Sequence, residues 1–322
     1  MTDLTTNTEL ATNTPLGDRG KKYHGIVIPA VTPLKENFSL DEAAVEKMFA
    51  NFHKYHVHPF IIGTTGESAS LSNEMKLDYL KTAAKHKQAG TVLYAGISSN
   101  VLNESIEFAK QCADNGVDVV ATTLPTYYTL TESQMKQYFI QLADAVPLPL
   151  IIYNIPATTH MSIPLQLIDE LSHHANIVGT KDSERSDERL SESLKLWRDR
   201  KDFSHFLGWA AKSNVALLNG GDGLIPSTGN LIPSIYNEMQ QAAAVNDVEQ
   251  VNNLQRLSDV FGNLYQGGRT LGESLWALKI LMNEAGLCKP IVMPPLQIMS
   301  TKEAKQLVDD LKMILEKEHI QL

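Results

Sequence analysis

From Gly25 onward, short runs of apolar residues alternate with longer amphipathic stretches. A short apolar run bounded by turn residues reads as a strand buried on both faces. Apolar positions recurring every three or four residues read as a helix with one buried side. Strands are expected at Gly25–Val31, Pro59–Gly63, Val92–Ala95, Val117–Thr123, Leu148–Tyr153, Ile177–Lys181, Phe203–Leu207 and Asp222–Ile225. Helices are expected between them, at Asp41–His56, Asn73–Gln88, Asn103–Asn115, Glu132–Ala145, Pro164–His173 and Asp187–Arg200. Ser72 and Thr131, just ahead of two of these helices, are N-cap residue types. Strands alternating with helices of this length predict a parallel sheet with right-handed crossovers. Eight such units in roughly 200 residues fit a closed (β/α)8 TIM barrel, an α/β fold. An open doubly wound sheet would carry a glycine-rich phosphate turn after its first strand, where this chain has Thr32-Pro33-Leu34-Lys35.

The barrel is expected over residues 23–233. Residues 234–322 follow as a helical C-terminal extension, broken at Gly267-Gly268 and Lys289-Pro290, with Pro294-Pro295 marking an extended crossing. Residues 1–22 are rich in Thr, Asn and Asp with few large apolar groups, and are expected to form a mobile tail. No basic-then-apolar signal pattern and no run of about 18 apolar residues is present, so the expectation is a soluble, cytoplasmic protein without membrane contact.

Composition narrows the function classes. The 322 residues are 43% hydrophobic and 20% charged, an ordinary globular balance. A net charge of -9 with no basic stripe argues against nucleic-acid binding. The two cysteines, Cys112 and Cys288, support neither a disulfide framework nor a zinc site. His53, His56 and His58 crowd together without metal-ligand spacing.

The chemistry-bearing residues lie where the strands end, the face on which barrels carry their reactive groups. Lys181 closes the apolar run Ile177-Val178-Gly179-Thr180-Lys181. A lysine there either snorkels to solvent or, held in an apolar mouth that disfavours the ammonium, serves as an amine nucleophile toward a ketone. Gly63-Thr64-Thr65-Gly66-Glu67-Ser68 follows the second strand and reads as a tight turn or as a neutral carboxylate cradle of hydroxyl and N–H donors. Tyr153-Asn154-Ile155-Pro156 ends the fifth strand, and its phenol either caps the core or moves a proton.

The order Gly-Thr-Thr-Gly-Glu, Tyr-Asn-Ile-Pro and Gly-x-Lys-Asp-Ser resembles the dihydrodipicolinate synthase/N-acetylneuraminate lyase family of class I pyruvate-dependent aldolases, over about Gly25 to Pro295. The resemblance implies a Schiff base between Lys181 and pyruvate or another 2-keto acid. It implies that Tyr153 moves the proton, with Thr65 and Tyr127 completing a relay, and that Thr64 and Thr65 bind the carboxylate. Tyr127, in Leu124-Pro125-Thr126-Tyr127-Tyr128, matches a tyrosine that reaches a neighbouring subunit's site in many members. Gly208 and the backbone of Ile225 match pocket-lining positions. A homotetramer is implied, with a small-molecule keto acid as ligand and no cofactor or metal, because the lysine supplies the electron sink.

Within the family, Thr158 stands where dihydrodipicolinate synthases carry an arginine, and a hydroxyl is no substitute for a bidentate guanidinium. Trp209-Ala210-Ala211 lacks the acidic pair of N-acetylneuraminate lyases. The pattern most similar is that of 2-keto-3-deoxy sugar-acid aldolases, whose Lys-Asp-Thr resembles Lys181-Asp182-Ser183. Their Gly-Gly-Asp-Gly stretch resembles Gly220 to Asn230. Ser183 and Asn230 would then offer side chains to a polyhydroxy tail. His160 stands where most relatives have glycine, either touching substrate or filling a gap. The expected reaction is reversible cleavage of a 2-keto-3-deoxy acid to pyruvate and an aldehyde. Dehydration, synthase-type condensation and a non-catalytic keto-acid sensor remain as alternatives.

Overall fold

A computed structural model describes residues 20–322, and most of the expected tail lies outside them. The described residues form β1 (Gly25–Pro29), α1 (Glu42–Lys54), β2 (His58–Ile61), α2 (Asn73–His86), β3 (Tyr94–Gly96), α3 (Leu102–Asp114) and β4 (Val119–Thr122). The chain continues through α4 (Glu132–Ala145), β5 (Leu150–Asn154), α5 (Pro156–Thr159), α6 (Leu165–Leu171), β6 (Ile177–Asp182), α7 (Asp187–Trp197), β7 (Ser204–Leu207), α8 (Ser213–Leu218) and β8 (Gly223–Leu224). Four helices complete it: α9 (Pro233–Ala244), α10 (Val248–Gln266), α11 (Leu271–Glu284) and α12 (Thr301–Glu318).

The strands close in sequence order, β8 pairing with β1 and every neighbour parallel. This is the expected (β/α)8 barrel. Side chains alternate across each strand, so one set fills the barrel and the other packs under the helices. Val27, Phe60, Tyr94, Val119, Ile151 and Phe206 form the interior, whereas Ile26, Ile28 and Ile152 belong to the layer between sheet and helices. Ser72 accepts from the Met75 amide, and Thr131 forms a capping box with Gln134, which fixes where α2 and α4 begin.

Two boundaries differ from expectation. Lys21, placed in the tail by its polar surroundings, is buried at the N-terminal end of the barrel. Its ammonium lies 2.7 Å from Asp222 Oδ2 and donates to the carbonyls of Trp197 and Phe203 at 2.8 and 3.0 Å. Three acceptors in one place hold a segment that has too little apolar surface to hold itself. The helix starting at Pro233 packs on β1 and α8 and so supplies the eighth barrel helix. The extension therefore begins with α10, and α10, α11 and α12 pack against one another.

Several strands are shorter than their apolar runs because burial continues beyond the paired backbone. Ala30 and Val31 are fully buried although β1 ends at Pro29. Ile62 leaves β2 in the left-handed region, φ 57°.

Candidate active site

Tyr153 on β5 and Lys181 on β6 are register partners, and Lys181 pairs in turn with Phe206 on β7. Register partners on parallel strands present side chains to the same face. The Lys181 ammonium therefore lies over the phenol ring, 3.9 Å from its centroid and 5.0 Å from that of Phe60. The Tyr153 hydroxyl is 3.4 Å from Thr64 Oγ1. Burial of the phenol opposes its ionisation, but the Lys181 charge and the side chains of Thr64, Lys181 and Ser183 outweigh it, holding its pKa below the ordinary phenol value. A phenol that ionises more readily is suited to take a proton.

The Thr64–Thr65 loop is shaped by close backbone approach. Ile62, β-branched and left-handed, turns the chain sharply out of β2. A Cβ on Gly96 would lie 2.2 Å from the Ile62 carbonyl oxygen, and one on Gly66 would lie 3.0 Å from the Ala30 oxygen. Gly96 is therefore required where β3 meets this turn, and Gly66 lets the turn pack tightly against the end of β1. Thr65 is buried and Thr64 half-buried. Beside them opens a cavity of about 420 Å³, walled by Phe60, Thr64, Tyr153 and Thr158, with Leu271, Leu275 and Leu296 along its lip. Lys181, 4% exposed, is shielded by the two rings.

A polar network holds the strand ends that carry this pair. Asn154 donates to Asp182 Oδ1 at 3.1 Å and to Glu184 Oε2 at 3.0 Å, and accepts from the Ile163 amide at 3.1 Å. Arg189 donates from Nε to Asp182 Oδ2 at 2.6 Å and from Nη2 to the Ile163 carbonyl at 2.8 Å. The neighbours of both candidate catalytic residues are thus tied together on the outer face, so the inner face is preorganised. Among the described residues no cluster of three or more His, Cys, Asp or Glu is arranged to hold a metal ion, and no helix is long and apolar enough to cross a membrane.

Residues 22–314 match the model of the Dihydrodipicolinate synthetase family. The chain belongs to this family. A DapA-like lyase of Thermococcus kodakarensis is 32% identical over 88% of this chain and 97% of its own. A 4-hydroxy-tetrahydrodipicolinate synthase of Alkalilimnicola ehrlichii is 27% identical over 86% and 94%. The solved dihydrodipicolinate synthase of Bacteroides thetaiotaomicron superimposes with a TM-score of 0.85 at 26% identity, covering 94% of this chain and all of that one. The chain is accordingly a lyase of this family, and the resemblance read from three motifs is borne out.

Relative to that family frame, the expected site residues divide into two groups. Thr64, Thr65, Tyr153, Thr158 and Lys181 gather at the C-terminal end of the barrel, around one cavity or directly behind its wall. Ser183 and Gly208 adjoin them: the Ser183 amide donates to the Asn154 carbonyl at 2.9 Å, and a Cβ on Gly208 would lie 2.1 Å from Ser183 Oγ. Ile225, whose amide donates to the Leu207 carbonyl at 2.8 Å, is part of the barrel interior.

The others stand apart. Asn230 is fully buried, accepts from the Val31 amide and donates to the Pro29 and Ser227 carbonyls. Its amide is spent on backbone, so it joins β1 to the turn after β8 and offers nothing to a substrate tail. His160 is exposed and left-handed, φ 58°, a backbone conformation that favours glycine. Tyr127 and Tyr128 are 80% and 74% exposed in the single chain, stacked edge to face at 4.9 Å.

Three features escaped the sequence reading. Lys76 of α2 lines the cavity, its ammonium disfavoured by burial although Glu104 opposes the shift. Nothing distinguishes it in sequence from any other helix lysine. The lip residues come from the C-terminal extension, far along the chain from the barrel motifs. The third is Glu67, whose carboxylate meets Lys279 of α11 in the interior.

Proposed function

We propose that this lyase forms a Schiff base through Lys181 and cleaves a 2-keto-3-deoxy acid reversibly to pyruvate and an aldehyde. The observation that carries the reading is the Lys181 ammonium 3.9 Å from the Tyr153 ring, with the phenol hydroxyl 3.4 Å from Thr64. In this reading Thr64 and Thr65 bind the keto-acid carboxylate. Lys181 Nζ attacks the C2 carbonyl and water leaves, giving an iminium. Ionised Tyr153 takes the C4 hydroxyl proton, the C4 oxygen becomes the aldehyde, and the C3–C4 electron pair moves into the iminium as an enamine. Protonation at C3 and hydrolysis then release pyruvate and free the lysine. Thr65 and Tyr127 relay the proton outward, Tyr127 acting across a subunit boundary.

Thr158, half-buried on the cavity wall, favours cleavage over synthase-type condensation because it brings no positive charge for a second carboxylate. Cytoplasmic location and a homotetramer belong to the same reading. The exposed Tyr127–Tyr128 pair supports the second, being an aromatic surface that a neighbouring subunit would cover. Sedimentation of Tyr127→Ala tests that assembly.

The decisive experiment is borohydride reduction in the presence of pyruvate, read by intact mass. An adduct on Lys181 that is absent from Lys181→Ala supports Schiff-base chemistry. Aldehyde appearing with pyruvate from 2-keto-3-deoxy acids then separates the lyase from a dehydratase or a condensing enzyme. No adduct with pyruvate or any larger keto acid would sink the aldolase reading.

A further inference from the structure

Glu67 stands two residues after Thr65, on the turn assigned to the carboxylate and at the wall of the cavity, and its own carboxylate is buried against Lys279. Its Oε1 lies 2.5 Å from Lys279 Nζ, and its Oε2 accepts from the Met293 amide at 2.6 Å. Lys279 is fully buried on α11 and also donates to the carbonyls of Thr32 at 2.7 Å and Ile291 at 2.6 Å. The ammonium thus donates to two carbonyls and stands in ion-pair contact with the Glu67 carboxylate. Thr32 closes the ring by donating from Oγ1 to the Gly66 carbonyl at 2.6 Å.

This buried charged node joins the end of β1, the threonine turn after β2, and the segment carrying Leu296. Leu271, Leu275 and Lys279 recur at four-residue spacing on α11, so the face that forms the cavity lip also carries the lysine. Burying two charges is a poor route to stability, since apolar replacements of similar volume are often neutral or better. The pair does fix geometry. Glu67 itself is left-handed, φ 60°, a conformation that needs outside restraint in a residue of this size.

We propose that Glu67 and Lys279 are positioning residues: they set the Thr64–Thr65 hydroxyls for the substrate carboxylate and bind the C-terminal lip to that turn. Affinity for the keto acid then depends on the pair, while Schiff-base formation at saturation does not. The inference rests on the Schiff-base reading above.

The test is the pyruvate concentration that half-saturates borohydride trapping, measured for the full-length unaltered protein, Glu67→Gln and Thr32→Val. Glu67→Gln keeps the shape and loses the charge. Thr32→Val keeps the ion pair and loses only the hydroxyl bond to Gly66, so it tests the same turn without exposing an unpaired buried charge. The expected result is a half-saturation raised about tenfold in Glu67→Gln, the equivalent of about 1.4 kcal/mol, and by a smaller factor in Thr32→Val, with trapping at saturation unchanged. Lower melting temperatures with unchanged half-saturation in both variants would show a purely structural node and overturn the proposal. No adduct in the unaltered protein would overturn the Schiff-base reading, and this inference with it.

Discussion

Tyr153 and Lys181 face one another across β5 and β6 as register partners, with the ammonium over the phenol ring. The arrangement follows from strand register alone, since a one-residue slip of either strand would turn one of the two side chains to the helix layer. The two roles can therefore be separated by mutation. Tyr153→Phe keeps the ring and removes the proton carrier. Substrate turnover is expected to fall by about 10²–10⁴-fold while borohydride trapping with pyruvate persists at a slower rate. Lys181→Ala is expected to abolish trapping altogether. Full turnover in Tyr153→Phe would remove the phenol from the mechanism.

Gly208 is required by Ser183. An added Cβ would stand 2.1 Å from Ser183 Oγ and 3.1 Å from its Cβ, too close for either atom to stay in place. Gly208→Ala is expected to destabilise the protein by about 1–3 kcal/mol, the range for overpacking. Combining it with Ser183→Gly should recover most of the loss, which a double-mutant cycle of thermal unfolding measures.

Two histidines, His205 buried and His58 half-buried, predict an acid-sensitive fold. His205, with both ring nitrogens unbonded, is held at a pKa of about 4 by burial, aided by Lys21 and Arg189 and opposed by Asp182. His58, accepting from the Val92 amide, is also held at about 4 by burial, aided by His24 and opposed by Asp118. An unfolded histidine titrates near 6.5, so between about pH 6.5 and pH 4 the unfolded chain binds more protons than the folded one. Stability therefore falls as pH is lowered through that window, by up to about 1.4 kcal/mol per pH unit for each group. His205→Leu is expected to flatten this slope in melting temperatures measured from pH 7 to pH 4. An unchanged slope would mean that His205 is not the proton acceptor.

The barrel was legible because its strands are buried on both faces and so appear as bare apolar runs, from Gly25–Val31 to Asp222–Ile225. Strand ends were less legible, since burial continues past the last paired residue at Ala30 and Val31. The catalytic half of the candidate site was legible for the reason that local motifs are, each residue lying at the end of its own strand. Asn230 misled because an amide that bonds three backbone groups has the same letter as one that meets a ligand. The Glu67–Lys279 node was hidden because its partners are some 212 positions apart and a lysine in an apolar helix stripe reads as a surface residue.

Thr158 tests the choice between cleavage and condensation. It lies on the cavity wall at the first turn after Pro156, its amide donating to the Ile155 carbonyl at 3.1 Å and its hydroxyl pointing to the same oxygen at 3.4 Å. The hydroxyl is therefore committed to its own turn and adds no charge to the cavity. Thr158→Arg would place a guanidinium where a carboxylate-bearing second substrate can be held bidentately. The expected result is a rise of about tenfold or more in kcat/KM for condensation of pyruvate with an acidic amino aldehyde, with cleavage of neutral-tailed 2-keto-3-deoxy acids reduced. Trapping of pyruvate alone should not change, because Lys181 and the threonine turn are untouched. If the variant neither gains the acidic acceptor nor loses the neutral substrate, residue 158 does not select the aldehyde. Specificity would then have to be sought in the lip formed by Leu271, Leu275 and Leu296.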